Sequence, residues 1–110
     1  MMSENNAICV DDLLKHITVP EKGTLSVTLQ QDDHVKVVLF AFAAGQELSE
    51  HTASVPAIMH QISGKAKWVL AGKEQVADSG TWVWMPAGMP HSITAEDPCV
   101  MLLTMLKSAK

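Results

Sequence analysis

Leu25, Val27 and Leu29 alternate with Ser26, Thr28 and Gln30, the two-residue period of a strand that buries one face. Gln31-Asp32-Asp33 then reads as a turn, and a second run extends from Val35 to Ala44. From Val37 onward it is apolar at every position, which predicts burial on both faces. A single-layer barrel cannot cover its own outside, so another sheet or a second subunit is expected there, and a homodimer is favoured. Further strands are predicted at Ala57–Ile62, Lys65–Leu70, Glu74–Ala77, Thr81–Met85, His91–Thr94 and Val100–Leu106. Gly64, Gly72-Lys73, Asp78-Ser79-Gly80, Pro86-Ala87-Gly88 and Asp97-Pro98 punctuate them. Helix is predicted only over Asp11–His16, where Asp11 can cap, Leu13, Leu14 and Ile17 share a helical face, and Pro20 stops the run. Short strands at regular spacing are the pattern of an all-β sandwich or barrel. The expected organisation is an N-terminal segment with a short helix over residues 1–23 and a β-barrel domain over residues 24–110.

Composition narrows the function. A length of 110 residues suits one core, not two. Eight Lys+Arg against twelve Asp+Glu leave a net charge of -4, so the chain lacks the basic footprint that nucleic acid requires. Every basic residue is Lys and there is no Tyr, so no site can use a guanidinium fork or a phenolic proton donor. The first six residues carry no positive charge and lead into no apolar stretch, and Val37–Ala44 is too short to span a bilayer. A cytoplasmic protein with no membrane partner is the expectation. Cys9 and Cys99 have neither the count nor the spacing of a disulfide framework or zinc site, and both read as reduced packing residues.

The informative stretch is Gly80 to His91, which places Gly80, Pro86, Gly88 and His91 at the spacing G-x5-P-x-G-x2-H. A strand would end in the Pro-x-Gly turn, and the His would open the next strand facing inward. This stretch resembles the second motif of the cupin superfamily, with Ala95 where the family has Asn. The first cupin motif, G-x5-H-x-H-x3–4-E-x6-G, aligns on Gly45, His51 and Gly64, with Ala53 in place of the second His and Ala57 in place of Glu. The resemblance runs from about Gly45 to Ala95 and implies a small jelly-roll β-barrel of the single-domain bacterial type. It also implies that His51 and His91 are what remains of a metal site otherwise built from three His and one Glu.

Two imidazoles are fewer ligands than catalytic zinc or non-haem iron normally takes from protein. His60 is the candidate third ligand, although its odd offset from Ala57 needs a bulge to turn it inward. Gln61 and Met59 have the inward parity. Met59, Gln61 and Met89 are candidate ligand contacts, as are Trp82 and Trp84, which share one strand face. That face either lines the cavity or anchors a subunit interface. His51 and His91 could also be interior histidines kept only for hydrogen bonding. The leading expectation is a small molecule bound in an apolar barrel cavity, with a weakly held divalent metal (Zn, Fe, Mn or Ni) at the two histidines. The alternatives are a metal-free ligand-binding or sensor module and a metal-dependent dioxygenase or isomerase, and whether the chain is an enzyme stays open.

Overall fold

The structure, a computed structural model, describes residues 6–108. Nine strands follow one another: β1 (Thr24–Gln31), β2 (Val35–Phe42), β3 (Glu47–His51), β4 (Ala57–Ser63), β5 (Ala66–Leu70), β6 (Lys73–Ala77), β7 (Trp82–Met85), β8 (His91–Ala95) and β9 (Cys99–Leu106). They form two antiparallel sheets, β1-β2-β9-β4-β7 and β3-β8-β5-β6. The fold is all-β, as the alternation predicts. Between the sheets lie Phe42, Met59, Trp68, Met85, Ile93 and Met101, each fully buried.

The predicted helix over Asp11–His16 is instead one 3-10 turn, Leu13–Lys15, with the Asp12 carboxylate accepting the Leu14 N–H at 3.1 Å. Thr18, Val19 and Pro20 follow too closely for a costly helical nucleus to be repaid by propagation. This N-terminal arm takes the place expected for a second subunit along the middle of β2. Leu13, Ile17 and Val19 pack against Leu39, Ala41 and Val100 on the outer face of the five-stranded sheet, while Phe40 and Phe42 pack into the core. The all-apolar run of β2 is thereby buried on both faces within one chain. Cys99 is buried, and that burial pushes its thiol pKa up, whereas Cys9 is exposed.

The β1–β2 turn is held by Asp32, whose Oδ1 accepts the N–H groups of His34 (2.7 Å) and Val35 (2.9 Å). The Val35 bond, then the His34 bond, hold its carboxyl below the ordinary 3.8. A depressed carboxyl contributes stability above its unfolded pKa and loses it as pH falls through the folded one. Thermal unfolding followed from pH 5 to pH 2 should therefore show part of its acid destabilisation below pH 3.8 vanish in Asp32→Ala, which starts lower and falls less steeply.

Candidate functional site

His91 opens β8 because the chain reverses at Pro86-Ala87-Gly88, where Gly88 takes a positive φ of 84° and the Met89 N–H reaches back to the Pro86 carbonyl. Inward parity along β8 then gives His91, Ile93 and Ala95, all buried. His51 reaches the same face by an irregularity. Leu48 pairs with Ile93 and His51 with His91, so three steps on β3 match two on β8. The extra residue around Ser49-Glu50 is a bulge that flips the parity and puts His51 beside His91. The same flip places Glu47, paired with Thr94, on the outer face, although simple alternation would have it share a face with His51.

The two imidazoles meet with ring centroids 4.3 Å apart and planes inclined at 58°. His51 Nδ1 lies 2.8 Å from the Ser49 carbonyl and His91 Nδ1 lies 2.9 Å from the Met89 carbonyl. A carbonyl only accepts, so both Nδ1 atoms carry the proton and donate it. In the neutral rings both Nε2 atoms therefore keep their lone pairs, the tautomer that metal binding through Nε2 needs. His91 is buried and His51 exposed, so the pair sits where the interior opens to solvent. Donor chemistry of this kind, neutral imidazole without carboxylate, suits zinc, nickel or iron better than manganese.

The other candidates are distributed differently. His60 is half-buried on β4, with inward neighbours Met59 and Gln61, and it pairs with Trp82 on the outer face of the opposite sheet. No bulge lies between Ala57 and His60, so the structure does not bring His60 to the pair. Among the described residues no group of three or more His, Cys, Asp or Glu is placed to hold a metal. Trp82 and Trp84 also face outward and are exposed, so they do not line the interior. Gln61 is buried, but its Nε2 donates to the carbonyls of Ser63 (3.2 Å) and Gly64 (3.3 Å). That loop leads to Lys65, whose carbonyl takes the N–H groups of Glu96 and Asp97 at the end of β8 remote from His91. Met59 is a core residue, and Met89 is half-buried beside His91.

One interior group escaped the sequence reading. Trp68 is fully buried on β5, next to Ile93 and two pairs along from Leu70–His91, and its Nε1–H has no partner among the described residues. A buried unmet donor costs about 1–3 kcal/mol, so it is a position where an acceptor from outside the chain would be welcome. The available signal was the inward parity of Ala66, Trp68 and Leu70 between Lys67 and Val69.

These features define a cupin-type jelly roll with a two-histidine end. Residues 35–105 match the profile of the AraC-like ligand binding domain, and the chain belongs to that family. A conserved protein of unknown function from Streptococcus pyogenes is similar over 93% of this chain and 90% of its own, at 28% identity and a TM-score of 0.83. A cupin superfamily protein from Desulfitobacterium hafniense is similar over 84% of each chain, at 26% identity and a TM-score of 0.80. An RmlC-like cupin from Desulfovibrio desulfuricans shares the fold, with 22% identity, 92% of this chain and 98% of its own covered, and a TM-score of 0.81. Among curated proteins none matches the chain. No helix among the described residues is long and apolar enough to cross a membrane.

Proposed function

We propose that this chain is a ligand-binding cupin that takes a small molecule at the open His51–His91 end of its jelly roll, with a divalent metal held through the two Nε2 atoms. The observation that carries the reading is the matched tautomer: two adjacent rings each donate Nδ1–H to a backbone carbonyl, which leaves the Nε2 lone pair of each neutral ring free. Zinc, nickel or iron is preferred on donor type, and the bound metal would supply a Lewis-acidic centre whose remaining positions go to water or to the ligand. Met89 gives the ligand an apolar contact beside His91, and Trp68 Nε1–H offers a donor to an acceptor atom reaching inward. The family match supports binding rather than turnover. Dioxygenase or isomerase chemistry needs a metal in fixed geometry, and two protein ligands leave it too free. The protein acts as a cytoplasmic homodimer in this reading.

Equilibrium dialysis against micromolar Zn2+ or Ni2+ followed by elemental analysis tests the metal. About one ion per chain is expected, lost in the His51→Ala/His91→Ala double variant. Metal no higher in the native chain than in the double variant would instead favour the metal-free sensor module.

A further inference from the structure

Among the described residues, Ile8, Leu14, Leu25, Val27, Val76, Trp82 and Trp84 are the exposed large hydrophobics. All except Val76 lie on the outer face of the five-stranded sheet or on the N-terminal arm that crosses it. The outer face of the four-stranded sheet is unlike it, carrying the Lys67–Glu74 ion pair at 3.9 Å. The exposed parts of those six side chains amount to about 600 Å2, near the roughly 800 Å2 per partner of a standard interface. Between the crevice and the tryptophans the outward side chains of β9 and β4, namely Leu102, Thr104, Ile58, His60 and Ile62, include no carboxylate and no lysine, so the strip can be dried at low cost.

Two features of this face are complementary. At one edge Trp82 and Trp84 stand 58% and 49% exposed. Toward the other edge a crevice of about 330 Å3 opens between arm and sheet, walled by Ile8, Val10, Leu13, Leu29, Val37 and Leu102, with Gln30 as its polar wall. Register puts them at one height along the strands. Trp82 lies across from His60, then Leu102; Trp84 lies across from Ile58, then Thr104, then Val37. Leu102 and Val37 are crevice walls, so crevice and tryptophans differ only in lateral position. From β2 to β7 is three strand spacings, roughly 14 Å, and the midpoint falls between β9 and β4, at the His60–Leu102 pair. A twofold axis over that point, lying in the interface and parallel to the strands, lays the tryptophans of each copy over the crevice of the other.

We propose that this face is an isologous dimer interface in which Trp82 and Trp84 of one copy enter the crevice between arm and sheet of the second copy, and the reverse. The inference rests on the homodimer reading above and adds where the copies meet and which side chains lock them. The crevice has room for an indole, its walls are apolar apart from Gln30, and the tryptophans are the bulkiest of the exposed side chains on the face.

Sedimentation of the intact chain across a dilution series tests it, together with tryptophan emission. The native chain should be a dimer whose emission moves to the red on dilution as Trp82 and Trp84 become wet. Trp82→Ser/Trp84→Ser should weaken association about hundredfold, and Gln30→Lys, which puts a charge in the crevice, by about tenfold or more. Mixing the two variants should restore part of the affinity, because one of the two contacts survives in the mixed dimer. A native chain that stays monomeric at high concentration overturns the homodimer reading itself. A dimer indifferent to both variants overturns this interface and leaves the homodimer standing. Sensitivity to the tryptophan variant but not to Gln30→Lys means the indoles pair with each other, which overturns the crevice. The emission shift needs no variant, so a variant that misfolds leaves the proposal open to refutation.

Discussion

Replacing His91 by alanine should lower the affinity for Zn2+ or Ni2+ at least about hundredfold by titration calorimetry, because losing a coordinating ligand costs more than the tenfold to hundredfold typical of its supporting shell. His91 is the buried member of the pair, with its ring fixed by the Met89 carbonyl, so it brings its lone pair to the metal already oriented. His51 is exposed and tied to Ser49, and its alanine variant should lose affinity less steeply. His60→Ala provides the contrast, since its side chain is on the other face of the opposite sheet and its loss should leave metal affinity unchanged. Equal affinity in the native chain and His91→Ala would remove the metal from the site.

The largest effect on stability is expected from Gly64→Ala. A Cβ there would collide with the Pro98 carbonyl oxygen and lie 2.6 Å from Cys99 Cβ and 2.9 Å from Cys99 Cα. Those are backbone and root atoms of Pro98 and of the first residue of β9, which cannot rotate away as the tip of a long side chain can. Gly64 also holds φ at 72°, a conformation that costs an L-residue about 1 kcal/mol on its own. Collision and strain together should destabilise the fold by about 3–5 kcal/mol, lowering the midpoint of thermal unfolding by more than roughly 10 °C. Gly72→Ala, with open space around its Cβ and a φ of 83°, should show only the smaller conformational cost. A Gly64→Ala midpoint no lower than that of Gly72→Ala would contradict the packing described between the β4–β5 turn and β9.

Much of the fold was legible because strand periodicity and turn chemistry agree. The alternation of Leu25 and Val27 with Ser26 and Thr28, and the Pro86–Gly88 turn before His91, both predicted what forms. β3 was harder. Glu47–His51 is an exposed edge strand with no clean alternation, and its bulge inverts the parity argument for Glu47. The arm was misread because Leu13, Leu14 and Ile17 match a helical spacing equally well when they belong to a turn draped over a sheet. Trp82 and Trp84 could not be assigned to a side, since Val83 and Met85 opposite them are also apolar. The pairing of His51 with His91 was readable from the two motif positions, whereas the orientation of their nitrogens depends on carbonyls that only the folded backbone supplies.

Long-range 1H–15N correlation of the histidine rings near neutral pH, with and without one equivalent of Zn2+, addresses the tautomers and the metal together. The account predicts that the neutral form of His51 and of His91 carries its proton on Nδ1, with both Nε2 resonances displaced by the metal while His16 and His34 stay where they were. Nε2-protonated rings, or Nε2 signals that ignore the added zinc, would contradict it.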